Sequence, residues 1–499
     1  MQQDPLNVEM SKALAFLTRS QPGKAKPILL KLLKKRPKSA DVLRNLALTC
    51  EQLRDIDESV RYIERAKKID PNDPYVWSDA ARLCKGAGRF ADGLAYAQKA
   101  LKLAPTNKDN VSLVAQALIW NGKYSEAIEM LESLMKQDSP PTGILNPWVT
   151  ANFQLDNHEE VIRIATPIRD KTSSKMTYAM RREILSNLGL SLERLGRYEE
   201  AHEVFTEKNA DVTNRYSIEE SAIAIDQALA AWTPESFTSK RSTPLSESAT
   251  PVFVLGFARS GTTLIERVIA AHPQASAAGE CLFLSDAIKT RCPEDTPQML
   301  YPTLAAELSD DDIERIRALY MRNLVGLTGK NDRIINKNLF LPRLGGLIGR
   351  CFPNAPLLVL RRNPEDIAVS VWSHAFNPTF NQWSMRLETI AHEIALFQRL
   401  IDHWKQVLPN PILEVNYEEL TVDPEPHIRA IIDVVGLPWN EDCLSHESRK
   451  KSAHANRFIP TFSEHQVRKK INRSSVGRGE RFGAALDPFR EAYERYARP

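Results

Sequence analysis

Residues Pro251–Glu266 read PVFVLGFARSGTTLIE. The apolar run VFVLG predicts a buried strand and LIERVIAA a helix. Between them lies the loop Gly256-Phe257-Ala258-Arg259-Ser260-Gly261-Thr262-Thr263. Strand, glycine-bearing loop and helix in that order make an anion cradle. Gly256 and Gly261 let the backbone wrap close to a phosphate, and N–H groups at the helix start supply donors at the positive end of its dipole. A nucleoside triphosphatase needs lysine where Thr262 stands, because that ammonium neutralises the terminal phosphates. Here the cation inside the loop is Arg259. No carboxylate follows a later strand to hold a magnesium ion either: PLLVL leads into Arg361 and Arg362. The loop calls for an anion and speaks against ATP or GTP hydrolysis. Taken alone, it also reads as a glycine-rich turn that binds nothing.

Outward from the loop, the runs VFVLG, RIIN, PLLVL and ILEVN alternate with helical stretches such as PEDIAVSVWSHA and ETIAHEIALFQRLIDHWKQVL. That alternation predicts an α/β domain with a parallel sheet over residues 250–499. Upstream, residues 231–249 include TPESFTSKRSTPLSESA, rich in Ser, Thr and Pro, and predict a linker.

Residues 1–230 carry a different signal. Pro37, Pro71 and Pro105 recur every 34 residues, and Ala13, Ala47, Ala81 and Ala115 keep the same period. So do Ile56, Phe90, Tyr124 and His158. After an insertion, LGLSLERLGRYEEAHEVF repeats the pattern of NGKYSEAIEML at Gly196, Tyr198 and Ala201. The period and its small residues resemble the tetratricopeptide repeat, in which paired antiparallel helices cross at small side chains and proline follows the second helix. About six repeats stacked as an α-solenoid are expected, against an ordinary helical bundle with accidental spacing. Such repeats form concave surfaces for a peptide, a protein partner or a second copy of the chain.

Composition narrows the function classes. Lys plus Arg (66) against Asp plus Glu (63) leaves a formal charge of +3 over 499 residues. That is too little to imply nucleic-acid or membrane-surface binding from net charge. The six cysteines form no CxxC pair and no zinc-ligand spacing, which fits a reducing compartment and no metal. The amino terminus lacks a basic stretch followed by a long apolar run, and no run reaches the roughly 18 to 20 apolar residues of a membrane span. A cytoplasmic protein is expected.

The run Ala258-Arg259-Ser260-Gly261-Thr262-Thr263-Leu264, with His272-Pro273 and Gly279-Glu280 after it, resembles the 5′-phosphosulfate-binding region of sulfotransferases. The similarity is greatest to the tyrosylprotein branch and to bacterial proteins that append a sulfotransferase domain to tetratricopeptide repeats. It implies a P-loop-like fold, 3′-phosphoadenosine 5′-phosphosulfate (PAPS) as sulfuryl donor, and Arg259, Ser260, Gly261, Thr262, Thr263 and Leu264 as its 5′ contacts. A second constellation matches the 3′-phosphate pattern: Arg361-Arg362-Asn363-Pro364 after a strand, with Ser370 eight residues beyond Arg362. The resemblance assigns the 3′-phosphate to Arg362 and Ser370. Tyr417, after ILEVN, matches a nucleotide-contacting tyrosine, and a core tyrosine is the other reading. Ser463, Gln466 and Arg478 fall in a segment expected to close over the nucleotide.

The same resemblance makes Glu280 the general base, with Lys337, Arg259 and Ser463 stabilising the transferred and leaving oxygens. A helix-start acid and a surface lysine are the plainer readings of Glu280 and Lys337. Three departures stand out. The tyrosylprotein branch shows Gly-Glu-Glu where this chain has Gly279-Glu280-Cys281. Lys337 lacks the proline expected two residues on, and His374 stands where an arginine is expected. His272, His374 and His403 are alternative bases. Function therefore reads as PAPS-dependent sulfotransfer to an acceptor hydroxyl, with a non-catalytic nucleotide-binding scaffold and a nucleotide kinase as rivals. Protein tyrosine, a glycan and a small metabolite stay open as acceptors.

Overall fold

The computed structural model describes residues 5–19, 21–53, 55–170, 176–210, 216–238, 250–293, 296–329, 331–378, 380–445 and 471–497. The chain divides into two compact units, Met1–Gly196 and Arg197–Pro499.

The described residues of the first unit form helices joined by turns, the first Pro5–Thr18 and the last Tyr178–Arg194. Helices start at Ala40, Pro74, Lys108 and Thr142, and their partners at Pro22, Ile56, Phe90, Tyr124 and His158, so the 34-residue interval of the sequence is the interval of the fold. The local chemistry repeats with it. Ser39, Asp73 and Asn107 cap successive helices by accepting the N–H of Val42, Tyr75 and Asp109 at 3.4, 2.8 and 2.9 Å. The turn inside each pair needs a left-handed residue, supplied by Gly88 (φ 67°) and Gly122 (φ 74°), and at the same phase by Asp156 (φ 59°). Ala13, Ala47, Ala81 and Ala115 are fully buried, which lets the helices approach closely.

In the second unit a five-stranded sheet is built from β1 (Thr250–Gly256), β2 (Ala275–Gly279), β3 (Arg333–Lys337), β4 (Leu357–Arg361) and β5 (Ile412–Asn416). Its order is β2-β3-β1-β4-β5, all parallel. Both faces of β1 are covered. Val252 and Val254 pack with Leu264, Ile265 and Val268 on one side, while Phe253 and Leu255 meet Tyr320, Phe352 and Trp404 on the other. A strand buried on both faces reads as a continuous apolar run, which is why VFVLG was legible. The strand order reverses direction at β1, and the crevice beyond the carboxyl ends of β1, β3 and β4 is where such sheets hold ligands.

Two boundaries differ from the sequence reading. The helices Tyr198–Ala210 and Ile218–Ala231, assigned to the repeats by periodicity, group with the second unit. Phe205 packs edge-on against Trp372 at 5.5 Å, and Lys208 donates to the Trp372 and His374 carbonyls at 2.7 and 2.9 Å. The expected linker also begins inside the core: Trp232 is 1% exposed and donates to the Pro302 carbonyl at 2.8 Å. Its composition was read as polar over a window whose first apolar residues are packed; residues 239–249 lie outside the described residues. Among the described residues no helix is long and apolar enough to cross a membrane.

Candidate active site

The loop between β1 and the helix Thr262–Ala270 is shaped by close contacts. A Cβ on Gly256 would sit 2.5 Å from Thr262 Cγ2 and 2.6 Å from Ser260 Oγ. One on Gly261 (φ 108°) would sit 2.6 Å from the Tyr417 ring. Arg259 is itself left-handed (φ 67°), an arrangement that turns successive N–H groups toward one concavity. The Ser260 hydroxyl donates to the Phe257 carbonyl at 2.8 Å and so braces the loop. The Leu264 side chain belongs to the core, and its N–H donates to the Gly261 carbonyl at 2.9 Å. The first N–H groups of the helix have no acceptor within it, and Thr262 and Thr263 occupy those positions.

Three arginines converge beside the loop. Arg259 Nε donates to Ser370 Oγ at 3.0 Å, and Arg362 Nη1 donates to the Arg259 carbonyl at 2.7 Å. The Arg362 guanidinium lies 4.4 Å above the Tyr417 ring and reaches the Ser475 carbonyl at 2.6 Å. Its buried Nε has no hydrogen-bond partner among the described residues. Arg478 is 7% exposed and lies 3.4 Å from Ser373 Oγ. Burial first, then Arg478 and Arg362, push the Arg259 guanidinium down to about 9. Cations gathered against their own repulsion form an arrangement that an anion would relieve. Arg361 is not part of it, since it pairs with Glu414 and Asp402.

His374 lies in this cluster. Its Nδ1 is 2.7 Å from the Ser370 carbonyl and its Nε2 is 3.3 Å from Arg259 Nη2. The carbonyl requires a proton on Nδ1, so Nε2 accepts from Arg259. Burial, then Arg259, Arg478 and Lys208, hold the ring well below the usual histidine range.

Across the crevice, Lys337 at the end of β3 donates to Glu280 Oε1 at 2.6 Å. Lys337 is 4% exposed at its side chain and Glu280 39%, so an open carboxylate sits on a buried ammonium. The other candidate histidines are elsewhere: His272 Nε2 lies 2.9 Å from the Pro438 carbonyl, and His403 Nε2 lies 2.8 Å from the Trp232 carbonyl. Ser463 and Gln466 lie outside the described residues. Among the described residues no cluster of His, Cys, Asp or Glu could hold a metal ion.

With this geometry in view, residues 251–441 match the model of the sulfotransferase family. Residues 251–441 are a sulfotransferase-family domain. Residues 10–74 and 86–141 match models of the tetratricopeptide repeat. An uncharacterized protein of Aquifex aeolicus is 25% identical over 477 residues, 92% of this chain and 60% of that protein. Protein-tyrosine sulfotransferase A of Caenorhabditis elegans is 26% identical over 198 residues, 39% of this chain and 52% of its own length. The alignments thus span 60% and 52% of the length of these two curated relatives. The sulfotransferase domain of the Synechococcus PCC 7002 olefin synthase is 18% identical, covers 52% of this chain and 99% of that domain, and gives a TM-score of 0.34.

Sequence reasoning missed residues that brace this candidate site. Asp366 Oδ2 and Oδ1 accept the Gly477 and Gly479 N–H groups at 2.9 Å each, holding Arg478 between them. Asn338 donates to the Cys281 carbonyl at 2.8 Å and accepts from Phe340 and Leu341, so it braces the turn after Lys337 where a proline was expected. Glu266 accepts the Gly279 N–H at 2.9 Å. An acid two residues after Pro364 was visible as a helix-start signal, but its partners more than a hundred residues away were not.

Proposed function

We propose that this protein is a PAPS-dependent sulfotransferase, moving a sulfuryl group to an acceptor hydroxyl. The convergence of Arg259, Arg362 and Arg478 beside the loop carries the reading, because a nucleotide with a phosphate at both its 3′ and 5′ ends needs two cationic places. The loop amides and Arg259 would take the 5′-phosphosulfate. Arg362, with its unpartnered Nε, and Ser370 would take the 3′-phosphate. Tyr417 supports both by packing against Gly261 and Arg362.

In the transfer, the acceptor hydroxyl loses its proton to Glu280 as its oxygen bonds to sulfur. The bond from sulfur to the bridging phosphate oxygen breaks, and its electron pair leaves on adenosine 3′,5′-bisphosphate. Lys337 is placed to meet the charge on that oxygen, and fixed donors contribute most where charge develops. Ser463 is proposed to assist. The acceptor we favour is a protein or peptide hydroxyl brought by the tetratricopeptide repeats, tyrosine included, since such repeats bind peptides. A cytoplasmic setting accords with six free cysteines.

Calorimetry should show adenosine 3′,5′-bisphosphate binding more tightly than ATP, and labelled PAPS should transfer its sulfuryl group to a component of cell extract. Glu280→Ala should lower kcat by about 10² to 10⁴ while product affinity stays close to normal. Preference for ATP would sink the donor assignment. An unimpaired Glu280→Ala would sink the base.

A further inference from the structure

Glu280 leaves β2 between two fixed points. Ahead of it, Asn338 holds the Cys281 carbonyl; behind it, the Gly279 N–H donates to Glu266 Oε1 at 2.9 Å. Glu266 lies one turn into the helix Thr262–Ala270, is 0% exposed, and its Oε2 has no hydrogen-bond partner among the described residues. Its neighbours Leu264, Ile265, Val268 and Ile269 are core residues. A carboxyl in such surroundings is costly to bury, and a leucine would pack more favourably. Its one hydrogen bond goes to the residue that precedes the candidate base.

We propose that Glu266 is a positioning residue for the transfer site, its Oε1 fixing the Gly279 amide and so the direction in which Glu280 is presented to Lys337. The role assigned to Glu280 rests on the sulfotransferase reading; the contact does not. Gly279 is left-handed (φ 68°) and pairs with Asn336 just after a register shift between Ala277 and Gly279, so the ladder is irregular where the turn begins. The Glu266 carboxyl is the acceptor of the Gly279 N–H there.

The same carboxyl sets the charge behind the Glu280–Lys337 pair. Burial pushes it up to about 7 and Glu280 adds to the rise, while Lys337, the Gly279 N–H and Arg267 pull it down. Burial thus favours its neutral form below about pH 7. Ionisation would add a negative charge behind the Glu280–Lys337 pair, so donor and product affinity should weaken as pH rises through about 7.

The test uses the full chain with two substitutions. Glu266→Gln keeps an acceptor for Gly279 and loses the charge; Glu266→Leu loses both. For Glu266→Leu we expect kcat with PAPS to fall about a hundredfold. Its affinity for adenosine 3′,5′-bisphosphate should stay within about threefold of normal at pH 6, where the unsubstituted carboxyl is neutral, and amide exchange across residues 275–282 should quicken. Glu266→Gln should keep kcat within about threefold and lose the weakening of product affinity above pH 7 relative to the unsubstituted chain. Normal kcat and exchange in Glu266→Leu, or equal damage in Glu266→Gln, would overturn the proposal. So would loss of product binding in Glu266→Leu, which would mark a purely structural residue. A chain that transfers no sulfuryl group defeats the functional reading instead, and the exchange measurement still decides the contact.

Discussion

His374 stands where an arginine was expected, and the arginines around it explain the change. Arg259, Arg362 and Arg478 already converge there, so a fourth permanent cation would add repulsion, whereas a neutral imidazole accepts from Arg259. Burying it neutral has a pH consequence. The folded-state pKa lies below the unfolded value, so the unfolded chain binds the proton first. Its full contribution to stability is present above about pH 6.5 and shrinks as pH falls toward the folded-state pKa. Between pH 7.5 and 5.5, Tm should fall more for the natural chain than for His374→Gln, whose amide keeps both hydrogen bonds without titrating. Equal slopes would mean that the ring is not buried neutral. The paired arginines show what sequence left undecided at this scale. Arg361 ends β4 opposite Asn416 and turns to Glu414 and Asp402, while Arg362 turns to the loop. Neighbouring residues of a strand point to opposite sides, and only the packing shows which side holds the site.

At the scale of elements, the strands that sequence revealed each carry a run of large apolar residues, and the one it missed does not. β2 is ASAAG, with little intrinsic preference for a strand, and it exists because β3 pairs with it from Ala275 to Gly279. The helix Pro364–Ser373 was legible from its proline start and apolar spacing, whereas its second duty was not. Through Asp366 it holds the backbone on both sides of Arg478. Asp366→Ala leaves two N–H groups without their acceptor, which should cost about 2 to 4 kcal/mol in chemical denaturation. It should also weaken adenosine 3′,5′-bisphosphate binding about tenfold or more through loss of Arg478 placement. Unchanged affinity would show that Arg478 takes no part in the site.

For the whole molecule, the division at Gly196 matters more than the linker. Phe205, Lys208, Ile225 and Trp232 are buried parts of the second unit although they lie upstream of its first strand. A fragment 197–499 should therefore fold and bind adenosine 3′,5′-bisphosphate, and a fragment 250–499 should unfold or aggregate, as read by thermal melting and calorimetry. A stable, binding fragment 250–499 would restore the boundary drawn from periodicity. The sequence alone determined the repeats, the glycine-bearing loop and four of the strands, because helix period, buried-strand runs and loop chemistry are local and leave a spacing in the chain. Tertiary structure alone decided the second strand, the division between units, and the grip of Glu266, Asn338 and Asp366 on the site. Those depend on hydrogen bonds between groups 13 to 113 residues apart, and a contact at such separations has no period by which to be read.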